Sequence, residues 1–88
     1  MKTKFLINSE IFSSNDGVLT ECYKYYEKYY KEDGYILDKE NEDVYIIFDE
    51  QFDFKEGDRV TIFGITRLVD WKNVDITNRI ITYSLDEE

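Results

Sequence analysis

The commonest side chains able to do chemistry in this chain are carboxylates. Twenty Asp and Glu stand against eleven Lys and Arg, histidine is absent, and the one cysteine is Cys22. A nucleophilic thiol or hydroxyl needs a base, which histidine most often supplies. Without histidine or paired cysteines the usual zinc donor sets cannot be assembled. Cys22 is therefore read as a small buried side chain. Paired carboxylates can act as general acid and base, but only in a cleft that drives their pKa values apart, and a barrel built from 88 residues offers little cleft. Asp38, Glu40, Glu42 and Asp49 fall at positions one, three, five and twelve of a calcium-loop template, yet Asp43 stands where that loop needs glycine. The reading is a non-catalytic protein with no catalytic residue, no metal site and no cofactor.

Charge placement points towards binding. Between Glu32 and Asp58 eleven acids face only Lys39 and Lys55, so this window holds the whole net charge of -9. Such a surface repels phosphate backbones at long range. The acidic loops are candidates for contact with a basic protein: Asp38, Glu40, Glu42 and Asp43 in one, Asp49, Glu50 and Asp53 in the next. The solvated-loop reading of the same residues is solubility alone.

The elements that must position these groups are short. Phe5 to Phe12 is a strand with Phe5, Ile7 and Ile11 on one face, and Asn15-Asp16-Gly17 is a turn. Val18 to Lys31 fits either a helix, with Leu19, Tyr23, Tyr26 and Tyr30 in register, or a strand rich in tyrosine; the strand is preferred. Tyr35-Ile36-Leu37 and Val44 to Asp49 are strands around a charged hairpin loop. Glu50 to Glu56 is a connection whose Phe52 and Phe54 tuck under the sheet. Gly57-Asp58 opens a turn into a strand at Val60 to Gly64, followed by a loop and a last strand from Val74 through Ile80 with an apolar tail. Residues 86–88 read as a frayed tail. Nothing approaches membrane-spanning length, and the basic start carries too short an apolar run for an export signal. A cytoplasmic location is expected, in the cell or in a phage host.

This order of elements resembles an OB-fold, a five-stranded Greek-key barrel. From Tyr35 onward it resembles the bacterial OB-fold family of small stress-associated proteins. The resemblance is carried by Tyr35-Ile36-Leu37-Asp38, by Val44-Tyr45-Ile46-Ile47-Phe48-Asp49, by Val60-Thr61-Ile62-Phe63-Gly64, and by Asp70-Trp71 with Val74-Asp75-Ile76. It implies an all-β single domain over residues 1–88, with residues 5–17 an added N-terminal extension, strand or short helix, and turn. It also implies a ligand face at strands two and three and their flanking loops. In this chain those places hold Tyr35, Tyr45, Arg67, Trp71 and Lys72. As a nucleic-acid site the rings would stack bases while Arg67, Lys72 and Arg79 met phosphates. The acidic loops disfavour that use, so a protein partner is the leading expectation and single-stranded nucleic acid the alternative. Phe63, Ile65 and Ile47 are expected outside the barrel, covered by residues 5–12, by a partner or by a second copy.

Overall fold

The computed structural model describes residues 1–7, 26–28, 30–41 and 43–87. Six strands form one sheet: β1 (Lys2–Ile7), β2 (Ile36–Asp38), β3 (Asp43–Phe48), β4 (Arg59–Ile62), β5 (Ile65–Asp75) and β6 (Ile80–Asp86). Their spatial order is β2-β3-β1-β6-β5-β4. Among the described residues the protein is all-β, its six strands forming one sheet with outer strands at β2 and β4.

The expected N-terminal strand is present, but it is not an addition at the margin. It lies inside the sheet, antiparallel to β3 with Phe5 opposite Ile46, and parallel to β6 with Phe5 opposite Tyr83. Strict alternation explains the placement. Thr3, Phe5 and Ile7 are buried on one face while Lys2, Lys4 and Leu6 take the other. The expected partner Ile11, the Asn15-Asp16-Gly17 turn and Cys22 lie outside the described residues. Of the segment read as a strand at 18–31, Tyr26–Lys28 is helical and residues 30–34 form turns. There Tyr30 N–H donates to the Tyr26 carbonyl at 2.9 Å, and Lys31 pairs with Glu27 at 3.2 Å. The i,i+4 pairing outweighs the strand preference of tyrosine at these positions.

The C-terminal half corrects the expected strand-loop-strand plan. Ile62 faces Ile65 across a two-residue turn, Phe63-Gly64, whose φ values are 51° and 81°. Positive φ at both central residues is the geometry that matches strand twist in a tight hairpin. Gly64 therefore ends β4 rather than bending it. Residues 65–73, expected as a loop, belong to β5. The reversal falls later, at Ile76–Arg79, where the Asp75 carboxylate accepts from Asn78 N–H at 3.1 Å and from its side-chain amide at 2.8 Å. Asp86, expected in the frayed tail, ends β6.

The core lies on one face of this sheet. Phe5 is its hub, with ring centroids 5.6 Å from Tyr83, 5.9 Å from Phe48 and 6.1 Å from Phe54. Phe52 and Phe54 pack against the core from the β3–β4 connection, as their spacing predicts. Two buried hydroxyls hold that connection down. Thr3 Oγ1 donates to the Glu50 carbonyl at 2.7 Å and accepts from Phe52 N–H at 2.9 Å. Tyr83 Oη donates to the Phe52 carbonyl at 2.7 Å and accepts from Phe54 N–H at 2.9 Å. The extended connection thus satisfies its backbone through side chains where a strand would use a neighbour.

The sheet also curls. In a flat sheet β3 and β4, four strand spacings apart, would be separated by about 19 Å. Instead Phe48 of β3 and residues 60–63 line one pocket. Tyr35, next to β2, meets the ring of Phe63 at 5.8 Å.

Candidate binding site

The residues expected to form one aromatic and basic face are divided by the structure. Tyr35 is buried, 2% exposed, with its ring edge-on to Tyr30 at 5.2 Å. Burial, then the Tyr30 hydroxyl and the Asp33 carboxylate, push its pKa up to about 12, against a smaller lowering by Arg67. A phenol in that setting is a core group and offers no face for stacking. Arg67 lies on the same inner side. Its guanidinium donates to Tyr30 Oη at 3.3 Å and lies 4.0 Å from Glu87, while its Nε is buried with no hydrogen-bond partner.

Trp71 and Lys72, consecutive on β5, take opposite faces, and a bulge between Val69 and Trp71, where Asp70 is the extra residue, decides which of them faces the core. A bulge resets the alternation that follows it. Lys72 therefore pairs opposite Tyr83 on the core side, its ammonium 5.7 Å from that ring. Trp71 pairs opposite Ser84 on the outer side. The same register places Ile36, Tyr45, Leu6, Ser84 and Trp71 side by side across five strands, on one row of the outer face. Tyr45 and Trp71 sit three strand spacings apart, about 14 Å. Lys4 lies over the Tyr45 ring at 4.2 Å, a cation–π contact. Ile47 stands beside this row, and Ile36, Ile47 and Trp71 are 45%, 38% and 42% exposed.

Ile47 and Phe63 are exposed, as alternation predicts, whereas Ile65 packs against the core. The turn at Phe63-Gly64 puts Ile65 opposite Ile62 and so on the buried face. Sequence reasoning missed Leu6 and Ile36 as members of the outer row. The signal for Leu6 was its alternation with Phe5 and Ile7, legible only once β1 is known to be interior.

The acidic residues form two groups rather than one. Asp38, Glu40 and Asp43 stand at the β2–β3 hairpin, with Glu42 outside the described residues. Asp49, Glu50 and Asp53 follow the far end of β3, about 20 Å away along the strand. Asp38 is committed to its own turn. Its carboxylate accepts from Glu40 N–H at 3.1 Å, from Asn41 N–H at 3.2 Å and from the Asn41 side chain at 2.8 Å. The Asn41 bonds hold its carboxyl below the usual range. Asp49 lies 3.7 Å from Lys2, and Asp53 accepts from the Gln51 amide at 3.3 Å. Among the described residues no three acidic, histidine or cysteine side chains converge as a metal would need. Nor is any described helix long and apolar enough to cross a membrane.

A concavity lies at the seam where the curled sheet nears itself. It is a pocket of about 240 Å³ walled by Phe5, Phe48, Phe52 and Phe54 on one side and by residues 60–63 of β4 and its turn on the other. No family model, curated protein or solved structure matches the chain.

Proposed function

We propose that this chain is a non-catalytic binding module that takes a protein partner on the outer face of its sheet. The observation that supports this reading is the row Ile36, Tyr45, Leu6 and Trp71, with Ile47 beside it: large apolar side chains in register on four strands, with Ser84 of β6 between Leu6 and Trp71, and partly open to water. Aromatic and aliphatic side chains grouped in this way provide the desolvated centre of a protein interface. Net charge favours a basic partner. The two carboxylate groups at opposite ends of β3 would flank that partner, as phosphates do on a nucleic acid, which suits an inhibitor of a nucleic-acid-binding protein. In the same reading the curled sheet is an OB-like barrel left open between β3 and β4.

One observation favours single-stranded nucleic acid as the second reading. Tyr45 and Trp71 share a face with Lys4, which gives two stacking platforms and a cation.

Trp71 is the one tryptophan of the chain, so its fluorescence reports on this face directly. A basic protein co-purified with the wild type should be released by salt, should shift the Trp71 emission, and should be lost with Trp71→Ala or Ile47→Ser. A labelled oligothymidylate should leave both emission and anisotropy unchanged at low salt. Tight oligonucleotide binding that quenches Trp71 would replace the first reading by the second. Partner capture that ignores both substitutions would remove the outer face from the function.

A further inference from the structure

The seam pocket touches four consecutive residues, 60–63. Alternate residues of a strand point to opposite faces, so a space in contact with all of them runs along the edge of the strand. The hairpin register says which groups point there. Ile62 and Ile65 flank a two-residue turn and exchange both backbone bonds. Thr61, paired with Thr66, is then the non-bonded position, and its N–H and C=O point away from β5 into the seam. Among the described residues no strand pairs with this side of β4, and Ile46–Phe48 extends past the end of β2 across the gap. The far wall is phenylalanine. Glu50, Asp53 and Glu56, on the connection that supplies Phe52 and Phe54, have no cationic partner among the described residues.

We propose that this seam is a strand-addition site, distinct from the outer row. An extended segment of a partner protein lies along β4 and exchanges backbone hydrogen bonds with Thr61. One of its apolar side chains enters the phenylalanine pocket, and its flanking Lys or Arg residues meet Glu50, Asp53 and Glu56. Edge strands recruit peptides in this manner, with the ladder giving affinity and the pocket giving selectivity. Charge selects the occupant: two copies of a chain carrying -9 repel each other, whereas a basic segment is attracted.

The test uses the full chain and a short labelled peptide with a central phenylalanine between serines and terminal lysines. Amide exchange followed by NMR should show Thr61 exchanging rapidly in the protein alone and protected once the peptide is added, with shift changes at Phe48, Phe52, Phe54 and Thr61. Neutralising the rim with E50Q, D53N and E56Q together should weaken binding about tenfold. Replacing the central phenylalanine by serine, or N-methylating alternate peptide amides, should abolish it. A Thr61 amide already protected in the protein alone would overturn the proposal, as would self-association through β4. Binding that perturbs only Trp71 and Tyr45 would also overturn it, while leaving the outer-face reading intact.

Discussion

Thr3→Val tests whether two hydroxyls really hold the β3–β4 connection in place. The substitution keeps the shape of a side chain with no exposure and removes one oxygen. That oxygen serves the Glu50 carbonyl and the Phe52 N–H. Each hydrogen bond contributes about 1 kcal/mol net, and a partly buried group left unpaired costs about 1 kcal/mol more. Thr3→Val should therefore destabilise by about 2–3 kcal/mol, a large share of the roughly 5–10 kcal/mol a domain of this size holds. Tyr83→Phe deletes the matching pair at Phe52 and Phe54 and should cost about the same. The two losses should not add. Once the connection lifts off, its remaining backbone groups reach water, so the double variant should fall short of the summed effect by about 1 kcal/mol. Urea unfolding reads all four members of the cycle, with each single variant lowering the midpoint by about 2 M. Phe52 and Phe54 amides should also exchange faster in both. Single variants within 0.5 kcal/mol of wild type, a bound set by ordinary surface substitutions, would show that the rings alone seat this connection.

Other expectations are narrower. Gly64→Ala meets no neighbouring atom but forces alanine to φ 81°, so it should cost about 1 kcal/mol in denaturant unfolding, and Gly64→Asn less. Tyr35 ionises at about 12 in the fold and near 10 when unfolded. It therefore adds stability at neutral pH that is lost as pH rises from 10 towards 12, on the order of 2 kcal/mol, and Tyr35→Phe should flatten that limb of the pH–stability curve. Asp38 and Asp75, held below the usual carboxylate range by Asn41 and Asn78 respectively, contribute in the opposite sense. Their stabilisation is present above the unfolded pKa and fades as pH falls through the lower folded value. NMR titration should show both carboxyls titrating below the ordinary carboxylate range, and Asn78→Ala should return Asp75 towards that range.

Alternation made much of the sheet legible. Phe5 with Ile7, Val44 with Ile46, and Val60 with Ile62 are buried as their period of two predicts, and the hairpin at residues 38–43 announced itself by charge. Two features of the C-terminal half, a turn and a bulge, were not legible. Phe63-Gly64 hides a turn, since phenylalanine is an unusual occupant of positive φ, and its ring contact with Tyr35 helps hold it there. Asp70 hides a bulge, because an extra residue looks in sequence like one more step of the same strand. Both errors carried over to the site. The bulge turned Trp71 to the outer face and Lys72 to the core side, and Tyr35 sank into the core beside Tyr30. The seam pocket could not have been read from the chain, since it exists only where β4 curls towards β3.

Pairing β1 in parallel with β6 joins the earliest strand to the latest one. During synthesis Lys2–Ile7 leaves the ribosome with its β3 side soon available and its β6 side vacant until Ile80–Asp86 emerges. Contacts this distant along the chain close slowly, so the interval of exposure is long and the nascent Phe5 ring must wait, unsheltered, for Tyr83. Truncation just before Ile80 would leave a gap in the middle of the sheet instead of a shorter margin, and the product should behave as a chaperone client rather than as a smaller folded domain.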